Sequence, residues 1–505
     1  MTRPRLSARR ATQLDRWAPW ALAGGLTTVL FALAMLRVRT FGAGYDIGYF
    51  RQAAFLISEG RDPYITIRGL PLLADHLYLL FFPVGWLTRA LPDIGTLLGL
   101  QAAALGFGAV PLYAIARRHA RLGAAPAAAL LVAYACYPAL HNVNLFEFHP
   151  EVLAVPTLFG AVLFALDRRW IPYGLCIAVI LLSREDLAFV VIGLALLLAL
   201  DGHRRAALLT FVAAVVWFGI ALKLLAHFGQ GEVIQASLRL PHYGSTSGEI
   251  VRFVLTHPHT VLGDLLTVQS FELVLALVGP LLFLPLFAPK YLLPGIPLQT
   301  IYLLTNQEIA HTIDAHYPTA FIPFAFVAAA FALAKLLTAT APATATETTT
   351  APTHATARSR RWSPSAAALL VVAAPFFYLH YTTLPIEGFR AWASRDDVDA
   401  ARAEAVRLIP NGASVASSHV FLPELADRVE LFTYPRPFGD AAGLVADPVS
   451  IGERQAGVTH LIVDSRELGT VYGPLDAEVL RLAQDELGFR PVFERNGISV
   501  YRRGS

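Results

Sequence analysis

Long apolar runs recur along this chain, and they restrict what it can fold into more than any other feature. Trp17 to Leu36 carries no charged residue, and Arg3, Arg5, Arg9, Arg10 and Arg16 precede it. As a helix, a run of that length reaches across the ~30 Å hydrocarbon core of a bilayer. The arginines hold its N-terminus on the cytoplasmic side by the positive-inside rule. It is long for a signal-peptide core and no small-x-small cleavage site follows, so it reads as a retained first span. Further runs near Leu97–Ala116, Ala124–Leu140, Val152–Leu166, Ile171–Leu182, Leu187–Leu200, Ala206–Ala226, Phe271–Ala288, Leu292–Leu304, Tyr317–Leu336 and Ala366–Leu379 bring the expectation to about eleven spans. With 55% hydrophobic and 15% charged residues, the composition excludes an ordinary water-soluble globule. A net charge of +3 gives no electrostatic case for nucleic acid. Cys136 and Cys176 both lie in apolar runs and read as small buried hydrophobes.

Charge parity orients the spans. The stretch Leu77–Leu91 is interrupted by Pro83, Gly85 and Arg89. If it does not cross, the clusters at Arg117–Arg121, Arg168-Arg169, Arg204-Arg205 and Arg358–Arg361 all fall on the N-terminal side. It is therefore read as an interfacial or re-entrant helix within a large first external loop, residues 41–95. The expected organisation is a basic cytoplasmic N-terminus (1–16), a transmembrane domain (17–337), a Thr/Ala-rich cytoplasmic linker (338–362), a last span (363–380) and an extracytoplasmic α/β domain (381–505). In that domain Ser414–Ser417, Leu431–Tyr434 and His460–Asp464 read as strands and Leu422–Asp427 as a short helix. Pro491–Glu494 and Ile498–Arg502 flank a hairpin at Asn496-Gly497. There is no Gly-rich phosphate loop of recognisable form, so no nucleotide is assigned.

That topology collects polar residues on the external face. The first loop supplies Asp46, within Tyr45–Gln52 (Tyr-Asp-Ile-Gly-Tyr-Phe-Arg-Gln), and then Asp75-His76. The next turn supplies Glu147, His149 and Glu151, the third Arg184, Glu185 and Asp186, and a later one His316-Tyr317. Ionisable groups near a membrane are costly when they face lipid and are kept where they face a cavity, a partner or a substrate. Each also has a plainer reading. Asp46 suits a helix N-cap. Asp75-His76 suits an interfacial pair bonded to backbone. Glu147, His149 and Glu151 have donors at i, i+2 and i+4, which suits a divalent cation or a solvated turn. Arg184, Glu185 and Asp186 suit an internal ion-pair network. Tyr317 suits an interface anchor.

The order Tyr-Asp-Ile-Gly-Tyr-Phe-x-Gln, Ala-Asp-His, Val-Pro-Leu-Tyr, His-Pro-Glu, Arg-Glu-Asp-Leu and His-Tyr resembles the DUF2079 family of polytopic bacterial membrane proteins. So does the tail, from Ile-Pro-Asn-Gly-Ala-Ser-Val-Ala-Ser-Ser to Leu-Ile-Val-Asp. The likeness covers about residues 41–335 and 400–503. That family is grouped with the GT-C superfamily, whose members transfer sugars from polyprenyl-phosphate carriers at the external membrane face. The resemblance implies a GT-C-like multi-pass helical protein of the bacterial plasma membrane, with its site at the outer surface. It implies Asp46 as base or acceptor-orienting group, with Asp75 and His76 as further catalytic residues. It also implies Gln52, Arg184, Glu185, Asp186, His316 and Tyr317 as substrate contacts, and Glu147, His149 and Glu151 beside a divalent metal cation. The partners implied are membrane lipid, a polyprenyl-phosphate-linked sugar donor, and an acceptor glycan, lipid or protein. Arg51 stands where the family pattern has a second acid, and Arg184 where it has Lys.

The chemistry is physically coherent. A polyprenyl-phospho-sugar keeps its tail in lipid, so its C1–O bond breaks at the interface. The departing phosphate needs a cation, for which Arg51, Arg61, Arg68, Arg184 or a metal would serve. The acceptor hydroxyl needs a carboxylate base, and Asp46 is the candidate. A transporter or flippase, or a non-catalytic lipid- or glycan-binding protein on the same fold, are the alternatives.

Overall fold

A computed structural model describes residues 3–231, 233, 238–339, 363–382, 392–438, 455–468 and 475–504. The expected linker falls largely outside them. The chain opens with α1 (Arg3–Arg39), turns at Phe41 and enters α2 (Tyr45–Ser58). A two-stranded hairpin follows, β1 (Tyr64–Ile65) against β2 (Leu70–Pro71), then short helices at Leu72–Asp75 and Phe81–Leu87. Seven residues of helix rise only about 10 Å, so Phe81–Leu87 is too short to cross a bilayer.

Next come α3 (Asp93–His119), α4 (Ala124–Leu145), α5 (Pro150–Leu166), α6 (Trp170–Ser183), α7 (Ala188–Leu200) and α8 (Arg204–Phe228). Beyond these lie α9 (Pro258–Leu265), α10 (Val268–Leu281), α11 (Ile322–Ala339) and α12 (Ser363–Tyr381). Among the described residues, four helices are long and apolar enough to cross a membrane: Arg16–Arg39, α3, α4 and α8. The pair α9–α10, bent by 56°, makes a fifth if taken as one span.

This is fewer than the eleven apolar runs, because most of the others form helices too short to span and proline breaks one of them. Pro280, Pro285 and Pro289 lack the N–H that would continue a helix, so the run beyond α10 breaks into 3-10 turns with Leu282 and Phe283 at positive φ. Of Leu292–Leu304, only the eight residues Ile296–Leu303 are α-helical. Other runs form helices whose apolar segments, such as Ile322–Leu337 and Ala366–Tyr381, hold 10–17 residues, roughly 15–25 Å and short of a full hydrocarbon core.

After α12 come α13 (Asp397–Arg407), β3 (Val415–Ser417), β4 (Leu431–Thr433), β5 (His460–Asp464), α14 (Leu475–Asp485), β6 (Phe489–Arg495) and β7 (Ile498–Arg503). The strands form one sheet in the order β4-β3-β5-β7-β6. β3 runs parallel to β4 and β5, while β7 is antiparallel to β5 and β6. The β6–β7 hairpin turns at Asn496 and Gly497, both at positive φ as a tight two-residue turn requires. Arg402 of α13 donates to the fully buried Asp464 of β5 at 2.7 Å and so ties helix to sheet.

This α/β unit shares its core with the first loop: Ile47, Phe50 and Phe81 pack in one cluster with Val415, Leu422 and Leu425. Gly48 of α2 lies directly against Leu422. A Cβ there would lie 2.6 Å from Cβ of Leu422, so α2 seats on the unit only because position 48 has no side chain. A separate apolar core holds the helical body together around Tyr134, Tyr137, Phe159, Phe324 and Phe326.

Candidate active site

A cavity of about 180 Å³ opens between α2, the rest of the first loop, the α4–α5 turn and the segment before α11. Asp46, Tyr49 and Phe50 reach it from α2. Arg68, Asp75, His76 and Tyr78 come from the loop, His149 from the turn, and Arg239, Gln307, His316 and Tyr317 from later segments. Of the residues singled out in the sequence, Asp46, Asp75, His76, His149, His316 and Tyr317 therefore line one space.

Asp46 lies in the first turn of α2, where an aspartate commonly caps the helix. Here Glu147 takes that task. Its carboxylate accepts from the backbone N–H groups of Gly44 and Ile47, both at 2.7 Å. The fully buried Gln101 of α3 clamps the turn that presents Glu147: its amide donates to the Glu147 carbonyl at 2.6 Å, and its oxygen accepts from His149 N at 2.8 Å. Glu147 itself sits at φ 107, a backbone state that costs an L-residue on the order of 1–3 kcal/mol and persists because both ends of the turn are held.

With the cap filled, the Asp46 side chain, 32% exposed, faces the cavity with Oδ2 3.7 Å from Nε2 of His149. Burial of the charge, then repulsion from Glu147 and Asp75, raises its pKa well above the ordinary carboxylate range. His149 is pulled down to about 3, by burial first and then by Arg184, so its imidazole is neutral near pH 7. The His149 and His316 rings stack at 3.8 Å with 17° between their planes. His316 is held neutral in the same way, and its Nε2 lies 3.6 Å from Glu151.

His76 Nδ1 donates to Glu185 at 2.6 Å, and the second oxygen of Glu185 accepts from Leu77 N at 2.9 Å. Arg239 Nη2 lies 3.3 Å from His76 Nε2, on the other side of the ring. Arg68 lies 3.7 Å from Asp75, also on the cavity wall. Two guanidinium groups, Arg68 and Arg239, thus face the same space as Asp46.

The remaining candidates stand behind the wall or away from it. Arg184, 2% exposed, makes a two-pronged contact with Asp186 at 2.7 and 2.8 Å and also bonds Glu151 and the Tyr302 hydroxyl. Tyr302 donates in turn to Asp186 at 2.8 Å. Arg184 and Asp186 were expected to touch substrate; they instead form the internal network that fixes α6, α7 and the Tyr302 helix. Glu185 likewise orients His76 from behind.

Gln52 was also expected to touch substrate. It is fully buried and bonds Thr66 at 2.8 Å and the Arg428 and Val429 carbonyls at 3.3 and 3.2 Å, bridging α2, the hairpin and the C-terminal unit. The proposed metal trio does not converge: Glu147 caps α2, Glu151 is bound by Arg184, and only His149 faces the cavity. Among the described residues no group of three or more His, Cys, Asp or Glu side chains is arranged to hold a metal ion. The expected ligand set does not fit a cation, and no step is routed through one.

Of the arginines considered for the phosphate, Arg51 turns away to Asp93 at 2.5 Å and to the Pro423 carbonyl, and Arg61 is exposed. Sequence reasoning missed Arg239, which follows α8 in the chain. It also missed Gln101, a lone amide in an apolar helix. An amide in that setting is costly unless bonded, and that was the available signal.

No curated protein matches the sequence. Among solved structures, ArnT from Cupriavidus metallidurans bound to undecaprenyl phosphate superposes with a TM-score of 0.52 at 14% identity, over 97% of this chain and 99% of ArnT. The same protein in the apo state gives 0.53 at 14% identity, over 95% and 99%. At that identity the likeness is one of fold, and it extends over nearly the full length of both chains. A model of predicted membrane proteins, DUF2079, matches residues 37–498, and the chain belongs to that family.

Proposed function

We propose that this protein is a GT-C-type membrane glycosyltransferase that moves a sugar from a polyprenyl-phosphate carrier to an acceptor at the external membrane face. The observation that carries this reading is the placement of the Asp46 carboxylate and two guanidinium groups, Arg68 and Arg239, around a single cavity, whose second carboxylate, Asp75, lies beside Arg68. The fold likeness to ArnT, a protein crystallised with undecaprenyl phosphate, supports a lipid-phosphate partner.

The acceptor hydroxyl attacks C1 of the sugar while Asp46 takes its proton. The C1–O bond to phosphate breaks, and the electron pair leaves with the polyprenyl phosphate. Asp46 is suited to the proton because its raised pKa makes it a stronger base than an exposed carboxylate. Arg68 and Arg239 are placed to meet the charge that develops on the departing phosphate. His76, polarised by Glu185, holds Arg239 in place.

The test is turnover of polyprenyl-phosphate-linked sugars by the purified protein in lipid nanodiscs. Release of free polyprenyl phosphate that depends on Asp46 supports the reading. Movement of intact sugar-lipid across liposome membranes without any such release would establish a flippase instead.

A further inference from the structure

A second cavity, of about 810 Å³, lies between α6 and α8 at the end of both helices remote from Asp46. The distance follows from the helices themselves. The C-terminal part of α8 packs through Ala221 and Leu225 on Leu77 of the first loop, beside the active-site cavity. Arg204 begins the same 25-residue helix, about 25–30 Å away along its axis. Similarly, α6 runs from Trp170 toward Ser183, next to Arg184.

The groove has an apolar length and a basic mouth. Ile177, Leu209 and Ala213 line its walls. Tyr173 and Thr210 close its floor with a 3.0 Å hydrogen bond between their hydroxyls, so these two polar groups satisfy one another, and His203 lies at the mouth against Trp170. Its flanks are open and apolar, with Ile171 81% and Leu209 71% exposed, as lipid-facing helix surfaces are. Arg204 and Arg205 stand at the mouth with Trp170, the side chain favoured at a membrane–water interface. Nearby basic groups are engaged elsewhere: Lys290 pairs with Asp201 at 2.7 Å, and Arg169 lies over the Phe164 ring. Among the described residues, neither Arg204 nor Arg205 has an acidic partner.

We infer that this groove binds an anionic glycerophospholipid of the leaflet opposite the active site, its acyl chain along Ile177 and Leu209 and its phosphate between Arg204 and Arg205. Two guanidinium groups and an interfacial tryptophan above an apolar slot between spans fit an acidic headgroup on a two-chain lipid. A zwitterionic lipid would fill the slot equally well but gain little from the arginines. The inference concerns a lipid site independent of the proposed reaction.

The experiment is native mass spectrometry of the full-length protein, released from detergent with equal amounts of phosphatidylglycerol and phosphatidylcholine. The wild-type protein is expected to retain phosphatidylglycerol over phosphatidylcholine by roughly tenfold. The double substitution Arg204→Gln/Arg205→Gln should bring the two lipids to near parity. Leu209→Trp keeps both charges but fills the slot, and should reduce retention of either lipid. Equal retention of the two lipids by the wild-type protein overturns the inference, as does an undiminished preference in the double variant or undiminished retention of both lipids by Leu209→Trp. If the double variant does not fold, Leu209→Trp decides the matter alone.

Discussion

His149 and His316 stack face to face with ring centroids 3.8 Å apart, one edge of the pair toward Asp46 and the other toward Glu151. Two charged imidazolium rings would repel at that distance. The stack therefore depends on both rings staying neutral, which their burial enforces. A wall of neutral aromatic nitrogen beside Asp46 leaves the positive charge in the cavity to Arg68 and Arg239.

Asp46→Asn should lower sugar transfer by about 10²–10⁴-fold, the range for loss of a general base. Its folded-state pKa is raised, so the ionised carboxylate lowers the stability of the native state relative to the unfolded chain. Removing the charge should leave Tm unchanged or higher. Initial rates and thermal melts of the same preparation separate this outcome from misfolding, which would lower both.

The pH profile of the wild-type rate should fall on acidification with an inflection above the ordinary carboxylate value of about 4. A base must be deprotonated to act, and burial followed by Glu147 and Asp75 moves that point upward. An inflection at or below 4 would remove Asp46 from the role of base.

Stability should also fall in acid because of His149. Between about pH 6.5 and the folded value of about 3, the unfolded chain binds a proton that the native chain refuses. The native state is therefore favoured above that window and loses up to about 1.4 kcal/mol per pH unit within it. His149→Phe keeps the stack on His316 without the titration. Its Tm should decline less between pH 6.5 and 4 than that of the wild type.

Arg239→Gln should slow transfer by roughly 10²-fold, the scale of losing one preorganised donor to developing charge. Arg51→Gln should have little effect on rate, because Arg51 bonds Asp93 and the Pro423 carbonyl rather than facing the cavity. Equal losses from both would argue against a phosphate role for Arg239.

Arg184→Met should cost about 3–5 kcal/mol, since it strands Glu151 and Asp186 without their cation. Adding Glu151→Gln and Asp186→Asn should restore much of the lost Tm. A substrate-binding Arg184 would instead lower activity at unchanged Tm.

The sequence was most informative where one short-range pattern decides the structure. Charge-flanked apolar length located Arg16–Arg39 and α8. Short apolar segments and Asn496-Gly497 located the strands of the C-terminal sheet, and His460–Asp464 matches β5 residue for residue. Apolar runs were less informative about spans, because prolines 280, 285 and 289 divide a run that composition leaves whole.

In the site, acidic and imidazole residues at span ends pointed to the cavity wall, and six of twelve named residues line it. Their individual tasks were not legible. Whether Asp46 or Glu147 caps α2 depends on the path of a turn about 100 residues downstream. That Gln52 faces the C-terminal unit depends on contacts more than 370 residues away.

The seat of α2 on that unit has one more consequence. Asp46 lies on the cavity side of the helix, while Gly48 rests on Leu422 and Gln52 is bonded to the strand-leading residues 428 and 429. The helix works as a short lever with the carboxylate on one arm. A molecule that prises the C-terminal unit from α2 would disarm the cavity by leverage, without entering it.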